Sequence, residues 1–566
     1  MAGHVNMMDD CLISNLPPET LRSALRLLLS SQGSTGRQFF VEHVRNKFYE
    51  NPPKFEDPGQ LFPGDDIVSP ICERYLSQTR CIFSCKLSHE SLPYLEQFLK
   101  AIPQANVRWT ENGGLATLLA KFDGDVVQAM QALKESRPER STQLLISLNS
   151  LVGGFEVVEK YCDNAQPTML PYPFRRARRQ LRDAIEMLFG HAPKFDITER
   201  ASVAMPTKVK GSSAIETFQV GPYKMPRLFN GLWQVSSPSW GSAPAKDQEK
   251  ALAHAIKCGL TATDMADHYG DSELIYGDFR ESLEPGVRDY VYAITKWCVF
   301  SPLSEPVTTS WVLGAVRERC RRLGGRVELL QFHWYDYEAK EYLDILVELV
   351  NITTSHQELV STIGLCNFDS EHVEEACDYL ISKTGSVGLV SNQVQFSLVD
   401  TRPLKKMLQV CSKYGVVLLT YGSFCGGFLS ERWLNQPAPE IYRESNQLTP
   451  SMRKYFDMIR AWGNTWGEFQ NLLSCLATVA RKHSPASISN IAARWVLQQT
   501  AVGAVIVGTR LGVSDHVDDN LKVFRFVLDD DDISRINAIA LGPSGQKSLA
   551  LFERLGDCGN EYRNMH

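Results

Sequence analysis

Hydrophobic positions in the second part of the chain form short apolar runs that alternate with long amphipathic stretches. From about residue 216 these runs read LFNGLWQV, TATDMAD, DYVYAITKW, VELLQFHW, TIGLCNF, VGLVSNQVQF, VVLLTYGSF and GAVIVGTR. Eight alternations of strand and helix predict an α/β fold, a parallel (β/α)8 TIM barrel. A doubly wound nucleotide-binding sheet is the alternative, but it needs a G-x-G-x-x-G turn that GLWQVSS at 231–237 does not supply. The pattern favours the barrel.

The first 200 residues have a different pattern. Apolar residues recur at helical spacing over 17–49, and a Pro-rich stretch at 51–66 interrupts regular structure. Beyond it, we interpret 79–87, 105–112, 113–122 and 142–148 as strands, and 88–102 and 123–136 as helices. That order is βαββαβ, the order of a small ferredoxin-like sandwich. We therefore expect a helical plus α+β N-terminal module of unknown role over 1–200, a linker over 201–215 and the barrel over 216–566, which we expect to fold alone.

Composition narrows the class of protein. The chain has 566 residues, with 59 basic and 65 acidic side chains and a net charge of −6, which is unlike a protein that coats nucleic acid. The N-terminus lacks a basic start followed by an apolar core, and no run approaches the roughly 18 apolar residues that span a bilayer. The 14 cysteines are scattered singly, as free thiols in a reducing compartment are. We expect a cytoplasmic location, with neither nucleic acid nor membrane as a partner.

Two charged segments each have two interpretations. The basic run at 175–179 begins an amphipathic helix over 171–190 and is either a nuclear-localisation or phosphate-binding patch or a solvated helix face. The negative net charge favours the solvated face. The acidic run Asp529–Asp532 is either a metal site or a cap at the positive end of the following helix. We favour the cap and assign no metal.

Polar residues stand where three neighbouring barrel strands end, which is where barrels place their chemistry. They are Asp264 and Tyr269 after the second strand, Lys296 at the end of the third and His333 at the end of the fourth. A phenol is a poor acid at neutral pH, and a nearby ammonium held by a carboxylate would lower its pKa. A neutral histidine beside them could orient a carbonyl oxygen. Each residue alone has an ordinary structural role, but the four together indicate a proton-donating site for carbonyl reduction.

Several ordered motifs resemble one family. DMADHYG resembles the signature D-x-A-x-x-Y-G of the aldo-keto reductases, and ITKW, LLQFHW and IGLCNF resemble the strands that carry the family's lysine, histidine and I-G-x-S-N-F motif. The resemblance covers 216–566 and implies that Tyr269 is the general acid and that Lys296 lowers its pKa. It further implies that Asp264 pairs with Lys296 and that His333 orients the substrate carbonyl.

The same resemblance implies NADPH as the cofactor, bound extended across the barrel mouth. Asn367 and Gln393 would hold the nicotinamide carboxamide, Tyr421 would stack on the ring, and the backbone from Gly422 to Leu429 would follow the pyrophosphate. Near the adenosine the resemblance places Gly508, Thr509, Arg510, His516, Asp519 and Asn520.

Three departures from the family pattern concern the cofactor. Cys366 replaces the serine before Asn367, the pyrophosphate loop reads YGSFCGGF, and His516 stands where an arginine is usual. Arg510 would then supply the cation that a 2′-phosphate requires.

Two classes of function remain open. The first is an NADPH-dependent oxidoreductase that reduces aldehydes and ketones, or oxidises the corresponding alcohols, with a small-molecule carbonyl substrate. The second is a cofactor-binding regulatory or scaffold protein with a slow or inactive barrel. The N-terminal module keeps this second class open, because it is a candidate site for a protein partner.

Overall fold

The computed structural model describes residues 13–31, 34–136, 138–166, 168–193, 215–236, 238–241, 243–440 and 448–563. The predicted linker 201–215 therefore lies outside the described residues, except for Ile215. The N-terminal part is helical, with no strand among the described residues of 13–193. Its helices are α1 (Pro18–Ser31), α2 (Ser34–Glu50), α3 (Pro58–Leu61), α4 (Pro70–Ser84), α5 (Ser88–Gln104), α6 (Gly114–Ser136), α7 (Thr142–Asn164) and α8 (Arg175–Phe189).

The predicted ferredoxin-like module is wrong. The expected strand 79–87 is largely the end of α4, and 113–122 joins 123–136 in the single helix α6. The buried residues of α6 include Leu115, Leu118, Leu119, Phe122 and Val126, which recur every three or four positions. This is helical spacing, which the interpretation as short apolar strands overlooked. Residues 105–112 form no regular element, and 142–148 begin α7.

The basic helix α8 is also different from the expectation. Arg176 and Arg178 are buried rather than solvated. Arg176 pairs with Asp271 of the barrel, whereas Arg178 pairs with Glu159 inside the N-terminal part. A guanidinium can leave water when a carboxylate replaces its hydration, and so this run of arginines is an interface instead of a solvated face.

The second part is a closed barrel of parallel strands, as the alternation predicts. Around the barrel the order is β10, β3, β4, β5, β6, β7, β8 and β9, and an antiparallel pair, β1 and β2, precedes it. The strands are β1 (Thr217–Val220), β2 (Tyr223–Pro226), β3 (Leu228–Gly231), β4 (Ala262–Asp264), β5 (Tyr292–Cys298), β6 (Val327–His333), β7 (Val360–Cys366), β8 (Leu389–Gln395), β9 (Val417–Tyr421) and β10 (Val502–Gly508).

Helices connect the strands and continue beyond them. They are α9 (Ala245–Lys257), α10 (Ser272–Glu281), α11 (Pro285–Arg288), α12 (Thr309–Arg322), α13 (Glu341–Ser355), α14 (Ser370–Thr384), α15 (Met407–Tyr414), α16 (Pro450–Trp462), α17 (Trp466–Lys482), α18 (Ile488–Leu497), α19 (Val517–Asn520), α20 (Asp530–Ala540), α21 (Gln546–Leu555) and α22 (Asn560–Arg563). Short 3₁₀ turns lie at Trp233–Ser236, Pro238–Trp240, Arg402–Leu404, Cys425–Gly427, Glu431–Trp433, Leu521–Arg525 and Pro543–Gly545.

Separate apolar cores support the two parts. One cluster of buried side chains runs from Leu61 to Leu188, and a larger one lies between the barrel strands and their helices. The cap predicted for the acidic run is confirmed, because Asp529 accepts a hydrogen bond from the backbone N–H of Asp532 at 2.9 Å and begins α20. Among the described helices none is long and apolar enough to cross a membrane.

Candidate active site

A buried ion pair stands at the carboxyl ends of β4 and β5. The Nζ of Lys296 lies 2.6 Å from Oδ2 of Asp264 and donates a second hydrogen bond to the carbonyl of Met265 at 2.8 Å. Both charged side chains are almost fully buried. Burial opposes the charging of Lys296, but the Asp264 carboxylate outweighs it and raises the pKa of the ammonium above its usual value. Lys296 is therefore a fixed cation.

Two amides complete the surroundings of Asp264. Gln331 of β6 and Gln393 of β8 each donate a hydrogen bond to Oδ1, at 2.9 and 2.7 Å. Gln393 also donates to Oε1 of Gln331 at 2.9 Å. The structure thus places Gln393, which the resemblance assigned to the cofactor, against the carboxylate of Asp264. Its bond to Oδ1 helps to orient the Asp264 carboxylate, whose Oδ2 faces Lys296.

Tyr269 lies on the turn that follows β4, with the ammonium of Lys296 4.8 Å from the centre of its ring. The turn is closed by hydrogen bonds from the backbone N–H of Tyr269 to Ala266 and from that of Ser272 to Tyr269, each 3.1 Å. Burial raises the pKa of Tyr269 well above its ordinary value, and Lys296 offsets this only in part. The net direction is opposite to the expected lowering of the pKa, because the effect of burial exceeds that of Lys296 and the Asp264 carboxylate adds to the rise. The phenol therefore keeps its proton at neutral pH.

His333 ends β6, next to Cys298 in the register of the neighbouring strand. It is buried, and its ring packs against Phe300 and Tyr562, with centroids 5.3 and 6.1 Å away. The four catalytic candidates thus lie on adjacent strand ends, as the sequence predicts.

The residues expected at the nicotinamide contact the protein's own C-terminal segment, residues 557–563. Asn367 follows β7 in a left-handed conformation (φ 58°), and its Oδ1 accepts a hydrogen bond from the hydroxyl of Tyr421 at 2.9 Å. The same Tyr421 hydroxyl lies 3.0 Å from that of Tyr562. Lys454 of α16 donates to the Tyr562 hydroxyl at 2.6 Å, and its ammonium lies 5.2 Å from the centre of the Tyr421 ring. The segment therefore reaches the space between Tyr421 and His333, beside the expected nicotinamide position.

Ion pairs fix the C-terminal segment in place. Arg402 is fully buried and binds both carboxylate oxygens of Glu561, at 2.8 and 3.0 Å, while Asp400 holds the other side of the guanidinium. Arg563 donates to the carbonyl of Asn367 at 2.7 Å. Gly559 lies so close to this carbonyl that a Cβ would stand 2.0 Å from it. Only glycine permits this approach.

The residues expected at the adenosine end line an open cleft beside β10. Gly508, Thr509, Arg510, His516 and Asn520 all contribute to its walls. Asp519 does not, because its carboxylate binds Ser487 at 3.2 Å and Lys522 at 2.9 Å. Its expected contact with adenine stays a prediction.

The expected pyrophosphate loop, Gly422 to Leu429, turns sharply after β9 and includes a short 3₁₀ turn at Cys425–Gly427. Gly422 has a φ of 75°, and a Cβ there would meet the hydroxyl of Tyr455 at 2.6 Å. Gly422 is thus packed against Tyr455, and the expected contact of this loop with a pyrophosphate stays a prediction.

Taken together, the residues fit a nicotinamide dinucleotide, provided that the C-terminal segment moves. The cleft at Arg510 and His516 offers a guanidinium and an imidazole for a phosphate, and the amides of Asn367 and Gln393 offer a donor and an acceptor of the kind that a carboxamide needs. The ring of Tyr562 lies beside His333 and Tyr421 at the nicotinamide end.

The N-terminal part packs on the turn that carries Tyr269. Arg176 of α8 binds Asp271 through both of its carboxylate oxygens, at 2.7 and 2.9 Å. Val127 of α6 lies 3.4 Å from the position that a Cβ would take at Gly270. The catalytic turn is therefore enclosed between the barrel and the N-terminal helices.

Sequence analysis missed Arg176, Lys454 and Tyr562 as residues of the site. The basic run at 175–179 was a usable signal for the first, but nothing local marks its partner, which lies 95 positions away. Lys454 and Tyr562 stand outside the family motifs, and only the fold brings them to Tyr421.

Residues 227–541 match the model of the aldo/keto reductase family, which is more than half of the chain. The chain belongs to this family. Family and fold support a carbonyl oxidoreductase with a nicotinamide cofactor and a small-molecule substrate.

Similar curated proteins include the aldo-keto reductase YhdN of Bacillus subtilis (strain 168), 23% identical over 292 residues, which covers 50% of this chain and 81% of the relative. The flagellar radial spoke protein 5 of Chlamydomonas reinhardtii is 26% identical over 183 residues, covering 30% of this chain and only 33% of the relative's own length. Among solved structures, the thermostable aldo-keto reductase Tm1743 in complex with epalrestat has a TM-score of 0.43 and 22% identity, covering 57% of this chain and 100% of that one.

Proposed function

We propose that the protein is an NADPH-dependent oxidoreductase that reduces aldehyde and ketone carbonyls, or oxidises the corresponding alcohols, with Tyr269 as the general acid. The observation that carries this proposal is the buried pair of Lys296 and Asp264, 2.6 Å apart, beside the ring of Tyr269. A buried lysine held by a carboxylate next to a tyrosine has little structural use, but it provides the charge that a developing phenolate needs.

The residues of the chain have separate roles in this reaction. Tyr269 donates its proton to the oxygen of the substrate carbonyl, and Lys296 stabilises the phenolate that forms. Asp264 holds the ammonium in place, and His333 orients the carbonyl oxygen. NADPH, when bound, would supply the hydride.

The raised pKa of Tyr269 suits a proton donor. An alkoxide formed from a carbonyl is a strong base, so a phenol of high pKa still transfers its proton to it. Lys296 matters most at that moment, because its attraction for the phenolate exists only after the proton has left.

The proposed preference for NADPH rests on the guanidinium of Arg510 at the adenosine end. The 2′-phosphate distinguishes NADPH from NADH, and Arg510 and His516 line the same cleft. A guanidinium binds a phosphate through two parallel hydrogen bonds, which favours the phosphorylated cofactor.

Tyr269→Phe tests the proposal, with consumption of NADPH followed by absorbance over a panel of aldehydes and ketones. We expect kcat to fall at least about a hundredfold while NADPH binding is nearly unchanged. Tyr276→Phe is the matched control, since it removes a buried hydroxyl that donates to the carbonyl of Tyr292 at 2.9 Å, outside the proposed catalytic group. Retained turnover in Tyr269→Phe would contradict the assignment.

A second candidate is a cofactor-binding regulatory or scaffold protein with a slow barrel. The contact between Tyr562 and Tyr421 favours it, since the C-terminal segment covers the nicotinamide position. One of the relatives is named as a flagellar radial spoke protein. NADPH binding without turnover of any carbonyl in the panel would support this candidate over the enzyme.

For the chain as a whole, the proposal keeps a module over 1–200 that offers a surface to a protein partner, a catalytic barrel over 216–566 and a cytoplasmic location. The two apolar cores support the division into two parts.

A further inference from the structure

Helix α8 makes its strongest contact with the barrel two residues beyond Tyr269. The guanidinium of Arg176 forms a two-pronged pair with Asp271, and the same group donates to the carbonyl of Val235 at 3.2 Å. Asp271 is completely buried. Burial would raise the pKa of this carboxyl, but Arg176 and Arg179 together hold it below its ordinary value, so the carboxylate is charged inside the interface.

Neighbouring side chains of the N-terminal part extend this contact along the turn. Gln180 donates to the carbonyl of Gly270, and Gln131 to that of Asp267, each at 3.4 Å. These two amides are joined to one another at 3.3 Å. The backbone on both sides of Tyr269 is therefore bonded to helices that the barrel does not itself contain.

A buried chain of charges supports the same region from behind. Lys134 pairs with Asp183 of α8 at 2.9 Å, and Asp183 in turn accepts from Arg322 of α12 at 3.0 Å. Arg322 also forms an ion pair with Glu273, in the first turn of α10, at 3.1 Å. The helix that begins just after Tyr269 is thus tied to the N-terminal part at two separate points.

We infer that Arg176 is a positioning residue for the proposed reaction: through Asp271 it holds the turn that places the Tyr269 phenol beside Lys296. The inference rests on the proposed function, in which Tyr269 is the acid. By this inference the N-terminal module contributes to catalysis at the barrel although Arg176 does not contact the substrate.

A direct contact with the cofactor is the competing role for Arg176. Arg176 and Arg510 line one small cleft, so a phosphate bound there could reach both. The two roles differ in kinetics. A positioning residue changes kcat and leaves the KM for NADPH alone, whereas a phosphate ligand raises that KM.

The experiment compares Arg176→Met with Arg178→Met in the full chain. Both arginines are buried on α8, but Arg178 pairs with Glu159 of the N-terminal part. For Arg176→Met we expect kcat to fall about ten- to a hundredfold at an unchanged KM for NADPH, because a small misplacement of a reacting group has that effect. Arg178→Met should keep kcat per folded molecule, and Arg176→Lys, which restores one charged bond, should lie between Arg176→Met and the unsubstituted protein.

The pH profile of kcat separates positioning from simple destabilisation. A displaced Tyr269 loses the influence of Lys296, so the apparent pKa of the acid should shift in Arg176→Met and not in Arg178→Met. An unchanged profile with an unchanged kcat would overturn the inference, and so would a raised KM for NADPH.

Hydrogen exchange gives a readout that does not depend on turnover. We expect amides of residues 266–272 to exchange at least about ten times faster in Arg176→Met, with no change in Arg178→Met. Equal exchange in the two variants would overturn the inference. If the unsubstituted protein reduces no carbonyl but this difference is observed, the proposed function fails while the anchoring of the turn stands.

Discussion

Replacing Tyr562 by phenylalanine should tighten the binding of NADPH, because its hydroxyl helps to hold the C-terminal segment over the nicotinamide position. The substitution keeps the ring and removes two contacts, the bond from Lys454 at 2.6 Å and the contact with Tyr421 at 3.0 Å. Both contacts require the segment to lie in its observed position, which we call closed, and both would be absent in an open arrangement in which the segment has moved away. The change therefore destabilises the closed arrangement and leaves the open one unaffected.

The size of the effect follows from the charged contact. A hydrogen bond to an ionised group contributes about 1.5–3 kcal/mol, and Lys454 would lose this acceptor in the closed arrangement. Since about 1.4 kcal/mol is a tenfold change, the closed arrangement becomes about ten- to a hundredfold less favoured. The apparent Kd for NADPH should fall by up to that factor, because it scales inversely with the fraction of molecules that can bind.

Fluorescence titration of NADPH without substrate measures this Kd independently of turnover. Tyr379→Phe is the matched control, as it removes a hydroxyl that donates to Asp344 at 2.9 Å on the surface. Weaker binding in Tyr562→Phe would refute the reasoning and make Tyr562 part of the cofactor site. An unchanged Kd would refute it as well, since the closed segment would then offer no competition.

Two further predictions concern charge. Arg510→Ala should weaken NADPH binding about ten- to a hundredfold and scarcely change NADH binding, and equal losses for the two cofactors in a paired titration would show that Arg510 does not bind the 2′-phosphate. Burial raises the pKa of Asp123 from 3.8 to about 7, so between these pH values the folded protein holds one more proton than the unfolded chain. The stability that comes from this proton is complete below about pH 4 and is lost as the pH rises through 7. Asp123→Asn keeps the acceptor for the backbone N–H of Ala177. In urea titrations it should raise the free energy of unfolding by up to about 4 kcal/mol at pH 8, but little at pH 4. An equal gain in stability at the two pH values would contradict the raised pKa of Asp123.

The barrel and the positions of the candidate residues at its strand ends could be predicted because their signals are local. Parallel strands buried on both sides are continuous apolar runs, and the residue that ends each run lies at the same rim. Asp264, Lys296 and His333 needed no knowledge of distant contacts. The prediction for the N-terminal part failed for the opposite reason. Its buried helices contain apolar runs as short as strands, and only the spacing of the apolar residues within a longer segment distinguishes a helix from a strand.

Contacts between distant segments could not be predicted. Arg402 and Glu561 are 159 positions apart, and neither has a neighbour in the sequence that indicates the other. The direction in which the pKa of Tyr269 shifts in the folded protein was not predicted, for a related reason. It depends on how deeply the phenol is buried and how strongly Asp264 neutralises Lys296, and both are properties of the assembled fold.

The charges between α8 and the barrel also have a consequence for the order of assembly. Three charged side chains are buried in the folded protein: Asp271, Asp183 and Arg322. During folding each would stay hydrated until the surface that carries its partner has formed. We therefore expect docking to be a late event that requires both halves to be nearly native. A barrel made without residues 1–200 would leave Asp271 without Arg176 and Arg179, so the expectation that the barrel folds alone now competes with one of mutual dependence.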